Sequence, residues 1–288
     1  MQSVNTKEAD NDWTTVIDSI ESRYLPDVRG VWRYRDLVAL LVRRDSVASY
    51  KQTLLGPLWF VIQPLMTTIV FTIVFGRIAS LPTDGLSPFL FYFGGVLCWQ
   101  YFAANVNRTS DTLSANASIY SKVYFPRLVT PVSTVISNLI VFGIQFAVFV
   151  VVVCVFMFRG APVRPSIFVI LLPVLLLQVS ACGIGVGLTI STLTTRYRDL
   201  NFMLGYALQL WMYTTPIVYP LSQVPEKWLW LIYLNPMTAA VQTFRYLLLG
   251  SGAPSISMIV YSAVVSTLVL GLGLALFTRV ERTFMDTI

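Results

Sequence analysis

The sequence predicts an all-α membrane protein: six transmembrane helices, an N-terminal amphipathic interfacial helix, and a re-entrant helical hairpin between spans five and six. Three observations predict it. Hydrophobic residues make up 56% of the 288-residue chain and charged residues 12%, with a mean hydropathy of +0.69, whereas a soluble globular domain is about one quarter charged. The charges are clustered, leaving uncharged intervals at 52–76, 85–107, 128–158, 165–195, 200–225 and 246–278, each long enough for the roughly 20 residues that cross a bilayer as helix. These intervals are continuously apolar, whereas a closed β-barrel needs alternating strands of about 10 residues.

Residues 1–50 form a polar cytoplasmic segment, and 51–288 the six-span domain. Up to Lys51 the chain holds eight Lys/Arg and eight Asp/Glu, and from Gln52 to Gly76 it holds none. No apolar core precedes the first span, so a cleaved signal peptide is not expected. Within the polar segment, Val31, Tyr34, Leu37, Val38, Leu41 and Val42 fall on one arc of a helix from Val31 to Asp45, and Arg33, Asp36, Arg43 and Arg44 on the other. Leu40 and Arg35 fall on the wrong sides. A basic amphipathic helix just before a span reads as one lying in the interface, or else as a small soluble cap.

Span one runs from about Leu54 to Phe75 and span two from about Pro88 to Val106. The stretch 108–127 between spans two and three is rich in Ser, Thr and Asn, yet Tyr120, Val123, Tyr124 and Phe125 are too apolar for a solvated linker. Either it is a short helix with an apolar face for a soluble partner, or that face packs on neighbouring spans. Spans three (Thr130 to Phe158) and four (Pro165 to Leu193) are long enough to tilt or to extend beyond the lipid. Gly183 and Gly187 in span four form a GxxxG pair that permits close helix approach. Span five runs from Phe202 to Tyr219 and span six from Ser257 to Phe277. Between them Pro216, Pro220 and Pro225 break the chain, and two apolar runs meet at Asn235-Pro236. Each is about 10 to 20 Å of helix, short of the roughly 30 Å hydrocarbon core. A hairpin dipping into the outer leaflet and lining a passage fits this pattern, with a surface-lying amphipathic pair as the alternative.

Fifteen of the 20 Lys and Arg fall in the N-terminal segment, the 108–127 and 196–198 loops and the C-terminal tail. That bias places both termini in the cytoplasm, although Arg159 and Arg164 on the other face run against it. The net charge of +6 then follows from topology and anionic headgroups, without nucleic acid. There is no His, and Cys98, Cys154 and Cys182 lie inside spans, which leaves neither a disulfide framework nor a zinc set.

Catalysis is poorly supported. The spans carry no carboxylate pair or basic residue of the kind that relays protons, and no GxxxxGK[ST] loop for nucleotide is present. Any ATP and Mg would be bound by a partner, and no cofactor is expected in this chain. The spans do offer aromatic rings. Trp59, Phe60, Tyr92, Trp99, Tyr101, Trp211 and Tyr213 are candidates for stacking on sugars in a passage, against the plainer role of aromatics as interface anchors.

The run Tyr50-Lys51-Gln52-Thr53-Leu54-Leu55-Gly56-Pro57-Leu58-Trp59, followed by Gln63-Pro64, resembles the start of the first span in membrane subunits of ABC-type polysaccharide exporters, those for O-antigen, capsule and teichoic acid. The loop Arg196-Tyr197-Arg198-Asp199-Leu200 and the Asn235-Pro236 corner are similar to the same family's pattern. The resemblance implies a homodimer with two ATPase subunits, moving a lipid-linked polysaccharide across the bacterial inner membrane through a channel at the dimer interface. It further implies a coupling helix in the 108–127 stretch, with Ser118, Tyr120, Val123, Tyr124, Arg196, Arg198 and Asp199 toward the ATPase. The segment Val31 to Asp45 would be a gate helix and Pro220 to Leu249 an outer gate. Arg43, Arg44 and Lys51 lie where a lipid diphosphate would approach, or act simply as positive-inside anchors. An exporter of a small drug or lipid is the alternative, and a membrane scaffold or an enzyme on a lipid-linked sugar the reading from another class.

Overall fold

The computed structural model describes residues 28–51, 55–120, 125–194, 197 and 199–284. Among these there is no strand. The helices, in order, are α1 (Val28–Arg33), α2 (Arg35–Tyr50), α3 (Trp59–Phe71), α4 (Pro88–Ser110), α5 (Thr112–Ala115), α6 (Ala117–Tyr120), α7 (Val129–Phe158), α8 (Leu172–Thr194), α9 (Leu200–Thr214), α10 (Glu226–Tyr233), α11 (Pro236–Leu249) and α12 (Ile256–Phe284). Five helical segments are long and apolar enough to cross a membrane: Gly56–Ile78, Pro88–Ser110, Val129–Phe158, Ile167–Thr194 and Ile256–Arg279. The remaining expected span is α9, whose 15 residues reach only about 22 Å at 1.5 Å per residue. Pro216 explains the early stop, because a residue before proline is pushed out of the helical region, and Thr215 sits at φ −90°, ψ 138°.

The bundle is built around α4. Its apolar window has the lowest mean hydropathy of the five spans, 1.2, yet is 78% buried. A helix hidden from lipid need not be apolar, and α4 carries Gly94, Gly95, Gln100, Asn105 and Asn107. It packs on α3, α7, α8, α9 and α11, while α8 also packs on α12. Gly183 and Gly187 of α8 face α4, where an added Cβ would come within 2.8 Å of Asn105 Cβ and 2.6 Å of Thr109 Cβ. The GxxxG pair therefore performs the close packing expected of it.

One polar group in the apolar α7 is explained by a proline in α3. Pro64 has no N–H, so the Phe60 carbonyl one turn earlier loses its helical donor, and Gln145 Nε2 of α7 donates to it at 2.9 Å. The π-helical stretch Thr72–Ile78 completes this first long segment.

The expected helix from Val31 to Asp45 is realised as α1 and α2, broken at Tyr34 (φ −95°, ψ 24°). Val38 and Leu41 are buried against α7, whereas Trp32 and Leu40 are exposed. Cys98 and Cys182 are buried thiols and Cys154 lies on the exposed apolar face of α7.

Candidate functional site

At the α2 end of the bundle a second hydrophobic cluster unites Val38, Leu41, Leu113, Tyr120, Phe125, Val129, Leu188 and Phe277. Tyr120 thus points into the bundle. Its ring packs on Phe125 with centroids 5.5 Å apart, Arg127 lies 5.2 Å over it, and its hydroxyl hydrogen-bonds with Thr130 Oγ1. Of the two readings of this segment, packing on neighbouring helices is the one Tyr120 and Phe125 adopt. Val123, Tyr124, Arg196 and Arg198 lie outside the described residues; Ser118 is within α6, and Asp199 is exposed at the start of α9. Asp111 is exposed and accepts from Asn201 Nδ2 at 3.0 Å, joining the 108–127 stretch to the first turn of α9.

The three basic residues do not share one face. Arg43 lines an apolar groove of about 580 Å³ between α2 and α7, with Trp32, Arg35, Val132 and Ile136. Arg44 lines a polar cleft of about 450 Å³ with Arg108, Asp111 and Asn116. It pairs with Asp45 at 2.9 Å and reaches Asn116 Oδ1 at 3.4 Å, contacts worth at most about 1 kcal/mol at this exposure. Lys51 is exposed at the end of α2.

The candidate sugar-stacking aromatics divide by burial. Tyr92, Trp99 and Tyr101 belong to the α4 core, and Tyr101 Oη bonds Ser180 Oγ of α8 at 2.6 Å. All three are buried. Trp211 is half-buried, edge-on to Phe102 at 5.0 Å and Trp99 at 6.2 Å, and its indole N–H is already donated to Asn235. Phe60 is half-buried beside Gln145. Trp59 and Tyr213 are exposed, as is Tyr206 one turn from Gln209. α9 buries only Leu204 and Leu208, so most of its circumference, including Gln209, is exposed among the described residues.

Asn235, which the sequence marks as the corner, and Arg245, which it does not single out, hold the hairpin end together. Asn235 caps α11, its Oδ1 accepting from Met237 N at 3.0 Å with Pro236 at the favoured first helical position. The same oxygen accepts from Trp211 Nε1 at 3.0 Å, while Nδ2 donates to Thr215 Oγ1 at 2.8 Å. Asn235→Ala is expected to cost about 2 kcal/mol, combining roughly 1 for a lost cap with roughly 1 for a stranded indole N–H. The melting temperature of the detergent-purified protein checks this, and an unchanged value would show that the corner is held by other contacts. Arg245, one of the five basic residues outside the cytoplasmic set, is 4% exposed. It donates Nε to Phe91 O at 3.1 Å, Nη1 to Pro216 O at 2.7 Å and Nη2 to Ile217 O at 2.6 Å, and stacks 3.6 Å from the Phe91 ring. The signal that could have found it is a lone arginine inside an apolar run, in a chain whose span two offers Gly94-Gly95.

Residues 36–249 match the family model described as ABC-2 type transporter, a stretch that starts in α2 and ends with α11. The chain belongs to the ABC-2 type transporter family. With its apolar helices, this ABC-2 chain is a multi-pass membrane protein. Its relatives agree over nearly their whole length. It is 28% identical over 253 residues to the O-antigen export system permease protein RfbA of Klebsiella pneumoniae, covering 87% of this chain and 94% of that protein. To the protein of the same name from Myxococcus xanthus it is 27% identical, over 91% of this chain and 98% of that one. To the polysialic acid transport protein KpsM of Escherichia coli it is 24% identical, over 87% and 95%.

Proposed function

We propose that this chain is the membrane subunit of an ATP-driven exporter of a lipid-linked polysaccharide, working as a homodimer with two copies of a separate ATPase in a bacterial inner membrane. The near end-to-end match to O-antigen and polysialic acid permeases carries the reading. ATP and Mg belong to the partner chain, and this chain is the conduit. α9 supplies the sixth crossing, aided by the turn that follows it, so that both termini are cytoplasmic. α1 and α2 lie in the cytoplasmic interface, and α10 with α11 form the re-entrant outer hairpin.

Geometry supports a passage at a dimer interface. Tyr206, Gln209, Tyr213 and Thr214 of α9 are exposed, and polar groups at membrane depth are tolerated where protein or water covers them. The exposed faces of α9 and of Trp59 on α3 are therefore the surfaces for glycan and second protomer, while Tyr92, Trp99, Tyr101 and Trp211 act as the rigid wall behind them. On the cytoplasmic side the ATPase meets α5, α6 and the first turn of α9, which the Asp111–Asn201 bond holds together.

In vesicles with its ATPase, the chain is expected to show ATP hydrolysis stimulated by an authentic lipid-linked glycan, and hydrolysis indifferent to such a substrate would overturn the proposal. Asp111→Ala is expected to reduce that stimulation while shifting stability by less than about 0.5 kcal/mol, as exposed substitutions do. Full stimulation in this variant would place the coupling surface elsewhere.

A further inference from the structure

The turn between α7 and α8 carries Arg159 and Arg164, both exposed, on the face that the charge bias leaves poor in basic residues. Neither forms an ion pair among the described residues. Phe158 beside them is 92% exposed and Ile167 88% exposed, with Phe168 and Ile170 also outward. Bulky apolar side chains that protrude so far at the ends of two spans belong in lipid, so the guanidinium groups between them emerge at phosphate depth.

Backbone hydrogen bonds close the turn. Gly160 N donates to Met157 O at 3.0 Å, Ala161 N to Phe156 O at 3.0 Å and Val163 N to Ala161 O at 2.7 Å, with Val163 buried beneath. Beyond it, Arg164 N donates to Leu249 O at 3.2 Å and Ser166 N to Leu247 O at 3.0 Å. Both acceptors are last-turn carbonyls of α11, which otherwise lack helical partners.

We propose that Arg159 and Arg164 bind the phosphate of an anionic phospholipid in the outer leaflet, and that the turn fastens this lipid contact to the end of α11. The proposal rests on the topology given above for the export reading, and it makes an outer-leaflet lipid a structural ligand of the hairpin. Two exposed guanidinium groups amid an apolar collar supply the charge complementarity for an anionic headgroup.

The test uses the purified full chain in detergent, titrated with phosphatidylglycerol or phosphatidylcholine and read by native mass spectrometry. Phosphatidylglycerol is expected to bind the R159Q/R164Q variant about 25-fold more weakly than the unaltered chain, at about fivefold per basic side chain near an anionic surface. Phosphatidylcholine is expected to bind both equally. The R159K/R164K variant is expected to retain most of the binding; loss there too, or an unchanged affinity in the glutamine variant, would overturn the assignment. Inorganic phosphate is expected not to displace the lipid, and displacement at equal concentration would mark a simple anion site instead. Because no ATPase or glycan enters this measurement, its failure leaves the export reading standing. A Pro162→Cys variant should react with a membrane-impermeant maleimide from outside intact cells, and reaction only from the cytoplasmic side would remove the lipid proposal by removing its topology.

Discussion

Arg245→Met is expected to destabilise the folded chain by about 3 kcal/mol, because it leaves two buried turn carbonyls unsatisfied at roughly 1–3 kcal/mol each. The argument starts from the three carbonyls. Phe91 O lies in α4, whereas Pro216 O and Ile217 O lie in the irregular turn after α9. No backbone N–H among the described residues reaches the two turn carbonyls. Charge-assisted bonds contribute about 1.5–3 kcal/mol each, and burying a guanidinium costs several kcal/mol in return, so the intact arrangement is only modestly favourable. Its removal is asymmetric, because methionine fills the volume but strands the carbonyls away from water. Gly95 is part of the same device: a Cβ there would lie 2.4 Å from Arg245 Nη2. Arg245→Lys separates charge from shape. A point ammonium cannot span three acceptors and lie flat on Phe91, so lysine is expected to recover less than half of the loss. Thermal inactivation in detergent measures both variants, and full recovery with lysine would show that charge alone holds the hairpin.

What the sequence made legible followed from solvent. Spans were visible because lipid excludes charge, and the gaps between ionisable residues fall on Gly56–Ile78, Pro88–Ser110, Val129–Phe158, Ile167–Thr194 and Ile256–Arg279. The breaks at Pro216 and Asn235-Pro236 were visible because proline restricts the backbone locally. Facing was much less legible. Tyr92, Trp99 and Tyr101 read as channel aromatics because hydropathy does not separate a lipid-facing ring from one packed on another helix, although the low hydropathy of α4 hinted at its burial. Tyr120 turns inward because α2, α7, α8 and α12 together build a pocket for it, and no local pattern contains that information. Arg245 escaped notice for the same reason, since its acceptors lie 28, 29 and 154 residues away. Gln145, which donates to Phe60 O 85 residues away, repeats the lesson.

The second large effect is expected where α8 crosses α12. A Cβ on Gly185 would lie 2.5 Å from Leu270 N and 2.6 Å from the Val269 carbonyl, and a Cβ on Gly273 would lie 2.4 Å from Gly185 O. The obstructing atoms are backbone, so no rotamer change relieves the clash and the helices must separate. In lipid, where helix association depends on van der Waals packing more than on the hydrophobic effect, that separation forfeits the contact itself. Gly185→Val is therefore expected to cost about 3 kcal/mol, the upper end for overpacking. Gly271→Ala, two residues from Gly273 and with nothing within 4 Å of the added Cβ, is expected to be neutral or slightly stabilising, as alanine is in a helix. The two crossing glycines should also be coupled. Once Gly185→Ala has forced the helices apart, Gly273→Ala should cost clearly less than it does alone, with an interaction energy of about 1 kcal/mol or more between adjoining sites. Melting temperatures of the two single variants and the double variant measure this coupling. Strict additivity would mean that α8 and α12 adjust independently and that the crossing is not a shared backbone contact.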